Sequence, residues 1–390
     1  MHEFLDFIES IDSADLGASN LWTRDDPGYG VPITARRQRQ TDAYKRALVE
    51  AVKLIDRVRA GTLPALYLQE AMSTSDFPIL FGDVLDRQML GSYQAAPPTW
   101  RRYIRTGTVR DFRKVKTLYV DGGEGQLAEV RELAEYKAAS MTEGKYERQV
   151  KKYGRRMPFS FEAMVNDDMG LLTDTPRRFA LAATRSETRF AISMYAGASG
   201  PNAALYTSGN KNIITGNPAL TVAGLTAALT QLGSMVDSEG EPIIVEMAIL
   251  VVPPALRMQA LSILNATELV IPASGDNPEI RTGNYLRNAV ELIVEPYLPI
   301  ISSTANGNTS WYLFAPTNVA RPALEFDFLR GYEAPQLFMR SPDAIRVGGG
   351  AVDPMQGSFD RDNLDYKIRH IFGGGYLDPR ATMASNGTGS

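Results

Sequence analysis

The sequence predicts an α+β fold, and three stretches of the chain lead to this prediction. The stretch 108–120 reads TVRDFRKVKTLYV, which is strand-like although neither of its faces is consistently apolar. A long helix is predicted over about 176–196, because Pro176 suits a first helical turn and apolar residues recur at helical spacing. Between 216 and 330, short apolar runs suited to buried strands alternate with helical segments.

Composition excludes several classes of function. The chain has 390 residues, of which 44% are hydrophobic and 22% charged, as in an ordinary globular protein. It contains no cysteine, which excludes disulfides, thiolate nucleophiles and cysteine-based metal sites. Its two histidines, His2 and His370, leave little basis for a histidine metal site or a Ser–His–Asp triad. Most hydrolytic chemistries are therefore disfavoured.

Neither a signal peptide nor a membrane span is expected. The first residues, MHEFLDFIES, lack a basic segment followed by an apolar core. The longest apolar run, 247–256, is too short to cross a bilayer and contains two prolines. We therefore predict no membrane partner.

The first part of the chain is predicted to form an N-terminal arm over 1–75. Its first forty residues are rich in Gly, Pro, Asp and Arg and show no sustained period. A helix is expected over 41–60, and a second, short helix over 83–93.

Charge is distributed unevenly along the chain, whose net charge is −4. Residues 101–160 hold fifteen Lys and Arg against eight Asp and Glu, whereas residues 216–332 hold five against eleven. Such segments favour complementary contacts within a subunit or between copies. The return stretch 145–156, KYERQVKKYGRR, is polar on both faces like 108–120, and an isolated two-stranded ribbon is marginal in water. We expect this ribbon to project and dock on another chain.

The remaining elements follow from apolar spacing and capping residues. The long helix is expected to pack through Phe179, Ala183, Phe190 and Met194. Further helices are predicted over 221–235 and 254–266, and strands over 247–252, 290–294, 311–315, 344–347 and 365–372. Turn-forming glycines are expected after 372, and the last ten residues, ATMASNGTGS, are predicted to be disordered.

Three motifs admit a catalytic or ligand-binding interpretation, and each has a simpler one. Gly123-x-Gly125-x-x-Ala128 is similar to a dinucleotide phosphate loop, but the preceding strand is too charged for a central parallel strand, which favours a flexible turn. The adjacent Asp167 and Asp168 suit a helix N-terminus better than a cation site. The strand-like run YKIRHIF favours packing for His370 over a role as general base.

The basic run 148–156 is compatible with phosphate binding or with an intersubunit face. Glu143 and Glu147 flank it, and it lacks an aromatic stacking ladder, which together favour a solvated or intersubunit face.

The order of these elements resembles the major capsid protein of tailed bacteriophages, with the Hong Kong 97 fold, including the group of the phage Mu major head subunit. Residues 135–170 resemble the end of the extended loop, and they run into a Ser-x-Glu-x-x-x-x-Asp-Asp segment at Ser160, Glu162, Asp167 and Asp168. The family's spine helix, axial-domain unit and closing strands have counterparts at 175–197, 249–266 and 365–381.

The resemblance implies a division of the chain into four parts. These are the N-terminal arm, 1–75; a peripheral domain, 76–107, 156–215 and 331–390, with the spine helix at about 176–196; the extended β-hairpin loop, 108–155; and an axial domain, 216–330. The loop is expected to make intersubunit contacts through Arg113, Lys114, Lys116, Lys137, Lys145, Arg148, Lys151, Lys152, Arg155 and Arg156.

The function implied is that of a shell protein, which would not be an enzyme and would hold no cofactor or metal. Pentamers and hexamers would close into an icosahedral shell around phage double-stranded DNA, bound without sequence specificity, with scaffold, portal and cement proteins as further partners. The protein would be assembled in the host cytoplasm and reside in the virion. An encapsulin-like cargo shell is the alternative, and a dinucleotide-binding enzyme a remote one. Lys137, Lys145, Lys151 and Asn363 are residue types that some members crosslink, but no spacing singles them out, so no crosslink is predicted.

Overall fold

The structure, a computed structural model, describes residues 57, 62, 89–95, 97–121, 142–160, 171–236, 240–243, 247–271, 280–318, 322–340 and 363–389. The chain divides into two compact units. The first draws its residues from Met1–Ala95, Tyr153–Ala182 and Ala334–His370. The second draws its residues from Ala96–Lys152, Ala183–Glu333 and Ile371–Ser390.

Four α-helices lie in the described residues, with a further helical segment at 89–94. They are α1 (Leu171–Tyr195), α2 (Val222–Gly233), α3 (Arg257–Asn265) and α4 (Leu298–Ile301). Short 3₁₀ helices cover Thr99–Arg102, Pro254–Leu256 and Pro379–Ala381. The Thr221 hydroxyl caps α2 by accepting a hydrogen bond from the backbone N–H of Gly224, as its sequence predicts.

Fourteen strands accompany the helices in the same residues. They are β1 (Arg105–Val109), β2 (Val115–Asp121), β3 (Thr142–Ser160), β4 (Ala196–Gly197), β5 (Gly200–Pro201), β6 (Ala248–Val252), β7 (Glu268–Ile271), β8 (Ile280–Gly283), β9 (Val290–Val294), β10 (Trp311–Phe314), β11 (Leu324–Leu329), β12 (Gln336–Met339), β13 (Asn363–Tyr376) and β14 (Thr382–Ser385). The predicted mixture of helices and strands is thereby confirmed.

The long helix is present but begins earlier than predicted. It starts at Leu171 rather than near Pro176, so the expected capping residues lie inside it. Proline at this position removes only one backbone hydrogen bond, the one to the carbonyl of residue 172, and a helix of 25 residues continues past it.

Several predictions lie outside the described residues. Of the predicted arm, 1–75, which includes the helix expected at 41–60, the structure describes only residues 57 and 62. The strand expected at 344–347, the glycine motif at 123–128, and Asp167 with Asp168 also lie outside the described residues.

A four-stranded sheet forms the apolar core of the second unit, in the strand order β14-β10-β6-β9. Every residue of β6 and β10 is buried. Residues of α2 and α3, among them Leu225 and Leu264, share one hydrophobic cluster with Leu250, Trp311 and Met383 of the sheet. Burial on this scale, without charged side chains in the cluster, is the main source of stability for such a sheet.

The end of the sequence belongs to this sheet, so the prediction of disorder there is wrong. All four residues of β14 are buried, and the strand pairs antiparallel with β10. Isolated bridges join Ile213 to Ala384 and Pro218 to Gly389. The segment is rich in small and polar residues, a composition that predicts disorder. It is held in place by the buried side chain of Met383 and by backbone hydrogen bonds, which composition does not show.

The second unit also contains a sheet with the strand order β1-β11-β13-β3-β2, to which residues 371–376 of β13 and 142–152 of β3 contribute. The predicted ribbon is confirmed, since β2 and β3 pair antiparallel from Val115 opposite Arg148 to Asp121 opposite Thr142. The single strand expected over 108–120 is in fact two strands. The chain bends after Val109, where the Asp111 carboxylate accepts a hydrogen bond of 3.0 Å from the backbone N–H of Arg113.

In the first unit, β12 pairs antiparallel with residues 366–369 of β13. The glycines expected to form a turn after residue 372 instead continue β13 into the second unit, where they pair with β11. A Cβ atom on Gly373 would lie 2.6 Å from the Cα of Val150, and one on Gly374 would lie 3.1 Å from the Met194 sulfur. Close packing of β13 against β3 and α1 therefore requires glycine here.

Candidate functional site

The β2–β3 hairpin of the second unit carries exposed charges on its surface. Lys114 and Lys145 both pair with Glu147, at 3.2 and 3.8 Å, and all three side chains are largely exposed. The hydrogen bond and charge of Lys114 lower the pKa of the Glu147 carboxyl. Exposed ion pairs of this kind contribute little to stability, so these side chains can be rearranged by a partner at small cost.

Other members of the predicted contact set are also exposed. Arg113, Lys116, Lys151 and Lys152 are solvent-exposed in the second unit, and Lys137 lies outside the described residues. Lys151 and Lys152 are consecutive in β3 and therefore point to opposite faces of the strand. Both faces of the strand are thus accessible at this point.

In the first unit, Arg155 and Arg156 differ in their surroundings. Arg155 is exposed. Arg156 reaches Asp365, with 2.6 Å between guanidinium and carboxylate, and the Asp365 side chain is only 5% exposed. Arg156 therefore has a structural task within its own chain.

Arg148 is not an exposed contact residue, and this part of the prediction needs correction. Its side chain is only 10% exposed and forms an ion pair with Glu325. It donates to both carboxylate oxygens of Asp327, at 2.8 and 3.2 Å, and to the hydroxyl of Thr117 at 2.9 Å. The guanidinium thereby ties β3 and β2 to β11, so it is occupied inside the sheet.

The reach of Arg148 depends on glycines, because β13 lies between β3 and β11. Gly375 stands opposite Glu325, and Gly373 stands opposite Asp327, so this face of β13 has no side chain in the way. A Cβ atom on Gly375 would lie 2.8 Å from the Cγ of Arg148. The glycines therefore form a path along which the arginine crosses the intervening strand.

A second arginine and a further glycine complete the cluster on the β1 side. Arg105 donates to Glu325 at 2.8 Å. Gly107 stands opposite Asp327, and a Cβ atom there would lie 2.6 Å from the Asp327 Oδ1. We call Arg105, Arg148, Glu325 and Asp327 the root cluster, since it lies where the hairpin enters the sheet.

The root cluster holds two positive and two negative groups. It is dry around Arg148, Glu325 and Asp327, whose side chains are at most 10% exposed, whereas Arg105 is 42% exposed at its edge. Burial raises the pKa of Asp327 to about 6, and the neighbouring Glu325 carboxylate acts in the same direction. Arg148 and Arg105 oppose this effect without cancelling it. Asp327 is therefore mainly ionised at neutral pH, when both arginines have a charged partner.

The predicted packing residues of the long helix lie in both units. Phe179 is buried in the first unit, and Ala183 and Met194 are buried in the second. Phe190 is half-buried, with its ring centroid 5.7 Å from those of Phe326 and Phe372. This side of α1 covers the aromatic residues of β11 and β13.

Other groups with potential chemistry are enclosed. His370 is buried, 6.1 Å from the ring centroid of Tyr93, so the expectation that it packs is confirmed. Glu295 is also buried, which raises the pKa of its carboxyl, although it accepts a hydrogen bond of 2.5 Å from the Thr99 hydroxyl.

A groove of about 660 Å³ runs beside α2, and its lining contains no charged residue and no histidine. In the described part of the chain, His, Asp and Glu form no cluster of three suited to a metal ion. No helix there is both long enough and apolar enough to span a membrane.

Sequence reasoning did not select three members of the root cluster, namely Arg105, Glu325 and Asp327. It also did not select the glycines that make room for them, Gly107, Gly373 and Gly375. The motif LEFDFL of β11 held the indication, because acids at alternate positions between large apolar residues place two carboxylates on one face of a buried strand. Carboxylates in such a position need cationic partners, which predicts arginines on neighbouring strands.

Comparison with solved structures gives distant likenesses. A chain from Gordonia phage Cozz is 13% identical, with 72% of this chain and 83% of that chain covered and a TM-score of 0.43. A chain from Mycobacterium phage Patience is 12% identical, with 80% and 90% covered and a TM-score of 0.45. The holo-SrpI encapsulin complex from Synechococcus elongatus PCC 7942 is 12% identical, with 75% and 89% covered and a TM-score of 0.42.

No curated protein matches the chain. A family model described as phage capsid protein matches residues 145–384, a range that includes β3 from Lys145 onward, α1, the elements from β4 to β13, and β14 as far as Ala384. This range exceeds half of the chain and confirms the resemblance drawn from the sequence. The chain belongs to the phage capsid protein family.

Proposed function

We propose that this capsid protein associates with copies of itself into pentamers and hexamers that close into an icosahedral virion shell of the Hong Kong 97 type. The shell would enclose phage double-stranded DNA, be built in the host cytoplasm and involve scaffold, portal and cement proteins. The role is structural rather than catalytic. The observation that carries the proposal is a charged hairpin whose root is fixed by buried ion pairs.

A hairpin that contacts a neighbouring subunit must keep its direction. The root cluster supports this, because Arg148 joins β2, β3 and β11 through four hydrogen bonds and ion pairs. A buried, multiply bonded guanidinium has little freedom to rotate, so it restricts the angle at which the hairpin leaves the sheet.

The surface that would meet the neighbour is made of exposed cations. In the second unit we assign this role to Arg113, Lys114, Lys116, Lys145, Lys151 and Lys152, and separately, in the first unit, to Arg155. We leave out Arg148 and Arg156 because each pairs with a buried carboxylate. Complementary negative charge would come from residues 216–332 of other copies, which carry eleven acids against five bases, although Glu295, Glu325 and Asp327 among these acids are buried. Each contact is weakly favourable, and closure of a shell multiplies the contacts.

The test is charge reversal at two positions of the second unit, Lys151→Glu with Lys152→Glu. Both side chains are exposed, so the variant should fold with the circular dichroism spectrum and melting temperature of the wild type, within about 0.5 kcal/mol of stability. Negative-stain electron microscopy should show shells or capsomers for the wild type and neither for the variant.

The matched control is Lys151→Arg with Lys152→Arg, which keeps both charges and should assemble. Normal shells from the charge-reversed variant would contradict the docking role of these lysines. The contents of purified particles then separate the two kinds of shell. Nuclease-protected double-stranded DNA supports the phage assignment, whereas a single protein cargo would indicate an encapsulin-like shell.

A further inference from the structure

The part of α1 that follows Pro176 presents four arginines, and its one acid is buried. Between residues 177 and 195 the exposed side chains include Arg177, Arg178, Arg185 and Arg189. The only carboxylate in this stretch is Glu187, which is fully buried and lies 3.8 Å from the Arg101 guanidinium. The exposed charges of this part of the helix are therefore all positive, although the chain as a whole has a net charge of −4.

Two of these arginines form a pair within the second unit. Arg185 and Arg189 are four residues apart, which places them about 6 Å apart along the helix axis on one face. Neither has a carboxylate within 4 Å among the residues that the structure describes. The guanidinium of Arg189 lies 5.9 Å from the ring centroid of the half-buried Tyr297, which limits its motion without neutralising its charge.

The neighbours of this pair on α1 indicate what kind of partner it suits. Ser186 and Ser193 are the other exposed residues of the helix in the second unit, and both are small and polar. A protein interface usually has an apolar centre with aromatic or aliphatic anchors. The part of α1 in the second unit exposes no large apolar side chain, although Leu181, in the part that belongs to the first unit, is 46% exposed. Arginines that present free guanidinium groups beside small hydroxyl side chains suit a phosphate backbone.

We propose that Arg185 and Arg189 of α1 contact the phosphates of the enclosed double-stranded DNA, without reading its sequence. This inference rests on the proposed function, since it supposes that the shell encloses DNA. Two arginines on an acidic protein would give weak binding that depends strongly on salt. Weak contacts of this kind allow DNA to slide along the wall rather than attach to it.

The experiment compares DNA binding by two full-length variants that lose the same charge at different places. The first is Arg185→Gln with Arg189→Gln, and the control is Arg257→Gln with Arg287→Gln, two exposed arginines of the second unit that lie outside the surface assigned to subunit contact. Glutamine has a helix propensity close to that of arginine, so α1 should remain folded. Anisotropy of a labelled 30-base-pair duplex is followed between 50 and 200 mM salt, at protein concentrations below those that assemble.

Each lost phosphate contact lowers the slope of log affinity against log salt by about 0.9, so the α1 variant should lose about 2 from this slope. The control should keep the wild-type slope. Equal losses in both variants, an unchanged α1 variant, or no DNA binding by the wild type at 50 mM salt would overturn the proposal. So would equally strong binding of polyglutamate with the same dependence on Arg185 and Arg189, because the partner would then be an acidic protein.

Electron microscopy of the same wild-type preparation at high concentration keeps this test separate from the proposed function. Absence of shells would contradict the shell function itself. Shells from the wild type, with any of the overturning DNA results, would contradict only the role of the two arginines.

Discussion

The two sheets of the second unit are stabilised in different ways. In the four-stranded sheet, β6 and β10 are buried along their whole length and carry only apolar or aromatic residues. In the other sheet, β11 is equally buried, yet two of its six residues are the acids Glu325 and Asp327. The first sheet is held by apolar burial, which has no direction, whereas the second combines buried aromatic residues such as Phe326 with ion pairs that have defined partners and angles.

This difference bears on what each sheet can do. Apolar packing tolerates substitution if volume is kept, so it is well suited to a stable core. A buried ion pair adds little net stability over an apolar alternative, but it penalises every arrangement that leaves a charge without its partner. The root cluster therefore suits the place where a hairpin must leave the sheet in one direction.

The largest effect should come from removing a strand of the apolar sheet. Deletion of residues 382–390 removes β14, exposes the side of β10 and takes Met383 from the core. We expect loss of the folded protein, seen as insolubility or as a lost cooperative thermal transition, because a buried strand supplies several kcal/mol in side-chain burial alone.

Deletion of 387–390 is the control for this truncation, since it keeps all of β14 and removes the bridge at Gly389. It should leave a cooperative transition at a modestly lower temperature. Equal behaviour of the two truncations would show that β14 is dispensable and that the sheet is complete without it.

The next largest effect should follow from removing the central arginine of the charged sheet. Arg148→Met leaves Asp327 and Glu325 buried with only Arg105 for compensation, which should destabilise the protein by about 3–5 kcal/mol in chemical denaturation. The control Lys145→Met, on the exposed part of the same strand, should change stability by less than about 1 kcal/mol.

Adding Asp327→Asn to Arg148→Met should recover part of this loss, because it removes the buried charge that loses its ion-pair partner, while Glu325 keeps Arg105. No comparable rescue exists for a cavity in the apolar sheet. If Arg148→Met proved as mild as Lys145→Met, the root cluster would not fix the hairpin, and support for the proposed contact would be withdrawn.

The two sheets also differ in how far the sequence predicted them. β9 lies at 290–294 as predicted and β6 and β10 within one residue, because continuous apolar runs identify buried strands directly. β14 was not predicted, because it is held by hydrogen bonds to residues distant in sequence, such as the one that the Ser385 hydroxyl donates to the Pro218 carbonyl.

The root cluster was missed for a related reason. Its members come from three strands far apart in sequence, and Arg148 looked like one more cation in a basic run. The glycines of β13 were read as a turn, because a single sequence does not show that a side chain from another strand passes over them. The periodicity of apolar residues predicts where strands lie in the sequence, but it does not predict which strands become neighbours in a sheet.

The smallest expected effect is one of pH dependence, and it distinguishes the buried carboxylate from an exposed one. The pKa of Asp327 is about 6 in the fold against 3.8 for the ordinary side chain, so between these values the folded state holds a proton that the unfolded state has lost. The stability that this group contributes is complete below pH 3.8 and is lost as the pH rises through 6. Asp327→Asn should therefore gain stability relative to the wild type as the pH rises from 4 to 7, by up to about 3 kcal/mol.

Glu147→Gln is the contrasting variant, measured in the same denaturation series. The pKa of Glu147 is lowered by Lys114, so its contribution is present at higher pH and is lost as the pH falls. This variant should lose a little stability relative to the wild type as the pH rises, the opposite direction to Asp327→Asn. If both variants followed the wild type at every pH, Asp327 would ionise as an exposed carboxylate does, and the dry environment assigned to the root cluster would be wrong.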